Sequence, residues 1–207
     1  MDSSASGNQS EVVTNTPHEK QTPGRPKLFL PPRGAEPVLP VPGGALTNAV
    51  VSNAVQAHDL LICSDVARCQ PGQPLPQRNP QTTRALVEAG YVHGLFCGTQ
   101  LMAMVTIGPS IPHGLDTSLF APAQRPFYMQ RLAVHPVLTS GHSMAGFRCV
   151  RTAIDVARRS GADTLRAETN AALTDTVALL TRLGLRPCRR QATAGTVSLE
   201  LTLKAAT

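Results

Sequence analysis

A run of small and polar residues, SGHSMAG at positions 140–146, separates an apolar stretch from a long amphipathic one. A strand, a tight turn and a helix in this order present bare backbone N–H groups at the start of the helix, where the helix dipole also attracts phosphate oxygens. The turn is therefore a candidate pyrophosphate cradle, and an ordinary crossover with a polar turn fits the pattern equally well. The candidate binding residues are Gly141, His142, Ser143, Met144, Ala145 and Gly146.

Glu168 is the best-placed carboxylate for proton transfer, because it lies near the end of the predicted strand TLRAET. A carboxylate at the end of a strand beside a cleft can act as a general base toward an amine. An ion pair between Glu168 and a neighbouring arginine is an equally good interpretation. Asp175 is interpreted more simply, as an acidic residue in the first turn of a helix, where it interacts favourably with the dipole.

The elements around the turn are predicted from apolar periodicity. Residues 127–134 form a strand candidate that Pro136 ends. Phe147, Val150 and Ile154 recur at helical spacing and predict a helix with one buried face, and Gly161 lies just past its end. Further along the chain, strands are predicted at 164–169 and 197–203, with a strand near 188 and a helix that ends at 184 between them.

Two helices and a hairpin are predicted upstream. Apolar residues from Leu46 to Leu61 recur at roughly helical spacing and predict a first helix. Asn79 followed by Pro80 predicts the start of a second helix. The runs 92–96 and 101–107 then predict a hairpin around a Gly-Thr turn, so the predicted order is ααββ followed by βαβαββ.

Composition divides the 207 residues into two parts. Residues 1–45 are rich in Pro, Ser and Gly and predict a disordered tail, whereas residues 46–207 predict a single folded domain. The net charge of +6 resides in the second part, which favours a polyanionic ligand. Aromatic residues do not interleave with the short basic runs, so nucleic acid is not favoured as a partner.

The predicted location is the cytoplasm, because no leader peptide or membrane span is visible and a membrane partner is not expected. The five cysteines are odd in number and lack the spacing of a disulfide framework or a zinc site. We therefore expect buried, reduced thiols and no metal.

Residues 127–185 resemble the acyl-coenzyme-A-binding core of the GNAT superfamily. RLAVHP at 131–136 is similar to the characteristic strand of that family, and 172–185, which ends in RLGL, is similar to its next helix. The resemblance implies an α/β fold with a mixed, mostly antiparallel central sheet flanked by about four helices, and a cofactor that separates two near-parallel strands. It also implies acetyl-CoA as cosubstrate. In the family's phosphate-binding pattern Ala145 fits, whereas Ser140 and Ser143 depart.

The resemblance assigns roles to particular residues. The backbone edge of Leu132, Ala133 and Val134 would bind pantetheine, and Asn170 would substitute for an Asn that the family often has near the start of the next helix. Many members use a tyrosine as the acid, and the matching position here is Leu180, which has no hydroxyl. The two tyrosines, Tyr91 and Tyr128, lie elsewhere in the sequence.

Two functions follow from this resemblance. The first is transfer of an acetyl or related acyl group from acyl-CoA to a primary amine of a small molecule or a protein, by direct attack. The alternative is a degenerate domain that acts as a non-catalytic binding or regulatory module. An enzyme needs an open cleft beside Val134 and Glu168, whereas a module can fill it. A homodimer is left open, and a Rossmann-type site is disfavoured because the turn lacks the glycine fingerprint.

Overall fold

The computed structural model describes residues 45–69, 72, 74–139, 144–188 and 195–203. The strands are β1 (Thr47–Val50), β2 (Val92–Cys97), β3 (Gln100–Gly108), β4 (Pro126–Val134), β5 (Thr164–Asn170), β6 (Arg186–Pro187) and β7 (Thr196–Thr202). The helices are α1 (Ala54–Arg68), α2 (Pro80–Glu88), α3 (Pro136–Thr139), α4 (Ala145–Arg159) and α5 (Thr174–Arg182), with a 3₁₀ turn at Thr117–Leu119.

The seven strands form one sheet in the order β1-β2-β3-β4-β5-β7-β6. Every neighbouring pair is antiparallel except β4 and β5, which run parallel. The predicted mixed α/β fold with a mostly antiparallel sheet is therefore confirmed. Four of the helices are longer than two turns, and α3 is a single turn that follows β4 directly.

The prediction of a first helix that starts near Leu46 is wrong. Residues 47–50 form β1 instead, which pairs with β2 and is exposed on all four residues. The helix begins only after Asn53, whose side-chain oxygen accepts hydrogen bonds from the backbone N–H groups of Val55 and Gln56 at 3.0 and 3.1 Å. The apolar spacing continued through this boundary, but the asparagine cap sets where the helix starts.

The remaining local signals are confirmed. The side chain of Asn79 caps α2 by accepting from the N–H of Gln81 at 2.8 Å, and Pro80 is its first residue. Gly98 adopts φ +58° in the hairpin turn between β2 and β3, and Gly161 adopts φ +72° just after α4. These positive φ angles explain why glycine occupies both positions.

The sheet is covered on both faces by aliphatic cores. One core packs α4 and α5 against residues such as Val105, Ile107 and Leu165, and the other packs α1 and α2 against residues such as Leu101 and Met104. The two cores are thus built on alternate residues of the same strands. None of the helices in the described ranges is long and apolar enough to cross a membrane.

The cysteines differ partly from expectation. None of the five, all of which lie in described ranges, forms a disulfide. Cys149 and Cys188 are buried, but the other three are only half-buried, so the prediction that all are buried is wrong.

The predicted tail and most of the predicted phosphate turn, including Gly141, His142 and Ser143, lie outside the described residues.

Candidate functional site

The central feature of the site is an opening between β4 and β5. Residues 126–129 of β4 pair with residues 164–167 of β5, and beyond that point the two fully described strands no longer pair. In β4, Arg131 and Leu132 together lie opposite Val105 of β3, which is a β-bulge, and Arg131 adopts φ +55°. A bulge bends the strand that carries it, and this one lies just past the last residue of β4 that pairs with β5.

Two cavities line the opening. The large cavity has a volume of about 710 Å³ and is enclosed by residues of α1, α2, β4 and β5. The helix-end cavity, of about 460 Å³, is lined by the first residues of α4 and α5 together with the end of β4. Arg68, Leu173 and Thr176 line both, so the two cavities adjoin at these three residues.

The helix-end cavity includes the start of α4. The N-cap residue of α4, Met144, makes no side-chain capping hydrogen bond. Gly146 lines the cavity, and a Cβ at this position would lie 3.4 Å from Cδ2 of Leu179. Because the first N–H groups of a helix lack intrahelical partners, this end of α4 can receive an anion.

The N–H of Val134 is directed into the opening. On the opposite edge of β4, the N–H of His135 donates to the carbonyl of Met102 in β3 at 2.8 Å, and backbone groups of successive residues alternate between edges. The N–H of Val134 instead donates to Oγ of Ser64 in α1 at 3.4 Å, which is long for a hydrogen bond. This donor is therefore only weakly engaged by the protein.

The predicted cofactor-binding residues divide between several places. Val134 and Gly146 line the helix-end cavity, whereas Leu132 and Asn170 line the large cavity. The remaining described ones are less well placed, because Ala133 and Ala145 are fully buried in the cores and Met144 is exposed.

Glu168 lines the large cavity and an adjacent side cavity of about 150 Å³. The residue is exposed, and its Oε2 accepts a hydrogen bond from Oγ of Ser198 at 3.4 Å. Neither of the two ion pairs in the described ranges includes it, so the predicted alternative, an arginine pair, is not present there. The carboxylate is thus accessible to a molecule in the cavity.

The hydroxyl that many GNAT members place on this helix is replaced by a core residue. Leu180 is 2% exposed, and Tyr128 lies deep in the sheet, where its hydroxyl accepts from Arg166 at 3.2 Å. Neither Tyr128 nor Tyr91 is among the described residues that line the two main cavities. Thr176, one turn before Leu180, lines both, and sequence reasoning missed it although the i, i+4 spacing placed it on the same helix face.

An arginine cluster forms the wall of the large cavity on the α1 and α2 side. It consists of Arg68, Arg78 and Arg131, with Asp65 among them. Arg78 donates to both carboxylate oxygens of Asp65, at 2.7 and 3.0 Å. Arg131 donates one hydrogen bond from Nη1 to Oγ1 of Thr83 at 2.9 Å.

Burial and mutual repulsion affect this cluster. Burial lowers the pKa of Arg131 below its usual value, the charge of Arg78 lowers it further, and Asp65 partly opposes both effects. Burial likewise lowers the pKa of Arg68, again partly offset by Asp65. Both guanidinium groups remain charged in proteins, so the cluster carries more positive charge than Asp65 balances.

Arg166 has a structural role next to the side cavity. It is 5% exposed on β5, donates through Nη2 to the carbonyl of Ala121, and lies 4.9 Å from the ring centroid of Phe120. These contacts fasten the segment between β3 and β4 to the sheet next to the side cavity. Glu200 lies on the neighbouring strand β7 and pairs with Arg166 in the backbone register, but no ion pair within 4.0 Å joins them in the described ranges.

The chain has the fold of the GNAT acetyltransferases, which confirms the fold that the sequence resemblance implied. No protein-family model and no curated protein matches the sequence. The similarity is one of structure, and at sequence identities of 13–17% it concerns the fold alone.

Three of the matching solved structures illustrate this similarity. YncA from Salmonella typhimurium, solved with its cofactor acetyl-CoA, is 17% identical with a TM-score of 0.57, and the match covers 77% of this chain and 95% of that one. A GNAT acetyltransferase from Listeria monocytogenes is 13% identical with a TM-score of 0.59, over 76% and 95% of the two chains. An agmatine N-acetyltransferase mutant in its apo form is 15% identical with a TM-score of 0.59, over 76% and 99%.

Proposed function

We propose that this chain is an acyl-CoA-dependent N-acyltransferase that transfers an acetyl or related acyl group to a primary amine. The observation that carries the proposal is the opening between the parallel strands β4 and β5, with adjoining cavities on its two sides. A thioester held in the helix-end cavity would reach the junction near Thr176, and an amine held in the large cavity would approach it beside Glu168.

The chain offers suitable groups for acyl-CoA, which supplies the activated thioester. The start of α4, where Met144 makes no side-chain capping bond and Gly146 lines the helix-end cavity, suits phosphate oxygens, and the expectation for residues 141–146 stays a prediction. The free edge of β4 from Leu132 to Val134 offers backbone groups to the amides of pantetheine. Asn170 is less suited to this role, because its side-chain oxygen already accepts from the N–H of Ala172 at 2.8 Å.

The proposed reaction is a direct attack in a ternary complex. Glu168, as general base, accepts a proton from the acceptor ammonium, and the neutral nitrogen attacks the thioester carbonyl. The new N–C bond forms as the C–S bond breaks, the bonding electrons leave on sulfur, and the nitrogen releases its second proton to solvent. The N–H of Val134 is a donor for the developing oxyanion, and the Thr176 hydroxyl is a donor toward the leaving thiolate, which takes its proton from solvent.

Isothermal titration with acetyl-CoA tests the cofactor side directly. We expect micromolar binding, at least about tenfold weaker in the variant Gly146→Leu because the added side chain fills the helix-end cavity. Arg151→Leu, on the exposed face of the same helix, is the matched control and should bind like the wild type. Absence of heat at millimolar acetyl-CoA, with a folded protein by circular dichroism, would contradict the proposal.

The second candidate is a non-catalytic module that binds acyl-CoA without turnover. It is favoured by the buried Leu180, since no acid hydroxyl is available at that position. The open cavities beside Val134 and Glu168 support the enzyme instead. Mass spectrometry of reactions with acetyl-CoA and a panel of primary amines separates the two, because a module that binds the cofactor yields no acetylated product.

A further inference from the structure

The two walls of the large cavity carry opposite charge. Glu168 lies on the β5 wall, and the arginine cluster lies on the wall formed by α1, α2 and the bulge of β4. Arg78 and Asp65 satisfy each other through two hydrogen bonds, so that pair is nearly neutral as a unit. Arg68 and Arg131 form no ion pair within 4.0 Å in the described ranges, which leaves two half-buried cations facing the cavity.

Arg131 is the most informative member of the cluster. Its backbone lies in the left-handed region at φ +55°, which disfavours residues with a Cβ and typically persists at functional positions. Only one of its five N–H donors has a partner among the described residues, the hydroxyl of Thr83. A glycine would suit this backbone better, so a functional use of the guanidinium explains why arginine occupies the position.

We propose that the acceptor of this enzyme is a primary amine that also carries an oxyanion, a carboxylate or a phosphate, and that Arg131 and Arg68 bind the oxyanion while Glu168 faces the ammonium group. The inference rests on the proposed acyl transfer and specifies its substrate class. A zwitterion is complementary to a cavity with one anionic and one cationic wall. Guanidinium groups are well suited to this role because they bind both oxyanions through two parallel hydrogen bonds.

Two further observations agree with this assignment. Burial and the neighbouring Arg78 lower the pKa of Arg131, so a bound anion would relieve both the desolvation and the repulsion. A volume of about 710 Å³ is in the usual range for small-molecule sites and accommodates an amino acid or a phosphorylated amine.

Binding of matched pairs of amines tests the inference without requiring turnover. The probes are L-amino acids against their carboxamides, and O-phosphoethanolamine against ethanolamine, each measured by thermal shift on the full chain in the presence of coenzyme A. We expect the oxyanion-bearing member of at least one pair to raise Tm and its partner without the oxyanion to have no such effect. The amino-acid and phosphate arms distinguish the two oxyanions.

Three variants locate the effect. Arg131→Gln should abolish the oxyanion-dependent shift, and Arg131→Gly should do the same while relieving the backbone, so a folding defect cannot mimic the result. Arg84→Gln, on the exposed surface of α2, is the control and should behave like the wild type. If a pair is turned over with acetyl-CoA, kcat/KM should favour the oxyanion-bearing member by about tenfold or more, and Arg131→Gln should remove that preference mainly through KM.

The inference is overturned if amines without an oxyanion shift Tm as much as their oxyanion-bearing partners, if no oxyanion-bearing probe shifts it, or if the oxyanion-dependent shift survives both Arg131 variants. Failure of the acyl-transfer proposal looks different. In that case acetyl-CoA gives no product with any probe, while the oxyanion-dependent shift and its loss in the Arg131 variants still report on the cavity.

Discussion

The two cavities at the β4–β5 opening differ in the kind of group that they offer to a ligand. The helix-end cavity offers backbone groups: the N–H of Val134 and the start of α4, where Met144 makes no side-chain capping bond and Gly146 has no side chain. The large cavity uses charged side chains, with Glu168 on one wall and the arginine cluster on the other. A backbone site tolerates departures such as Ser143 in the family pattern, since the donors do not depend on the side chain. The specificity of a side-chain site changes with every substitution.

The largest effect is expected at the base, where the large cavity meets the reacting amine. Glu168→Gln removes the proton acceptor while keeping the shape of the side chain, so we expect kcat/KM to fall by about 100-fold or more, with acetyl-CoA affinity unchanged. Glu88→Gln, exposed at the end of α2, is the control. Steady-state kinetics and titration together check this, and a variant within about twofold of wild-type kcat/KM would assign the base elsewhere.

A second large effect should distinguish an arginine that supports the fold from one that serves the site. Arg166→Met leaves the hydroxyl of Tyr128 and the carbonyl of Ala121 without their donor. We expect a loss of about 2–3 kcal/mol in the free energy of unfolding. Arg131→Gly should cost far less, because it relieves a strained backbone. Urea unfolding measures both, and equal losses would remove the distinction.

The same contrast explains how much the sequence predicts. Asn79-Pro80, Gly98 and Gly161 are local signals whose physical basis lies within a few residues, and the structure confirms each. β1 escaped prediction because its four residues are exposed and its stability comes from pairing with β2, more than forty positions away. Apolar residues also continue at helical spacing through Val51, so the sequence pattern did not reveal the boundary between β1 and α1.

The walls of the cavities were the least predictable part. Arg68, Arg131 and Thr176 come from α1, β4 and α5, and no local pattern brings them together. Glu168 could be named as a candidate base because it lies on a predicted strand within residues 127–185, the segment that resembles the GNAT core. The expectations for the backbone came from the resemblance, whereas the opposite charges on the walls of the large cavity required the packed structure.

A smaller effect is expected where the two cavities adjoin. Thr176→Val removes the only proposed donor to the leaving thiolate and preserves the branched shape, so kcat should fall by about tenfold, the usual scale for one hydrogen bond to a charged group. Thr181→Val is the matched control, since that exposed hydroxyl donates to the carbonyl of Val177 within α5. Pre-steady-state measurement of acetyl transfer is the appropriate assay. Equal rates for the two variants would mean that the Thr176 hydroxyl does not stabilise the leaving thiolate.

The smallest predicted effect lies in the core that positions α4. Burial raises the pKa of the Cys149 thiol from 9.0 to about 12, so the folded state retains a proton that the unfolded chain releases above about pH 9. Stability from this group is therefore complete below pH 9 and decreases as the pH rises toward 12. Between pH 9 and pH 10 the wild type should lose about 1 kcal/mol more than Cys149→Ala, which has no thiol to titrate. Parallel unfolding curves across that range would mean that the thiol ionises equally in both states, and that α4 is less tightly packed against the sheet than its burial indicates.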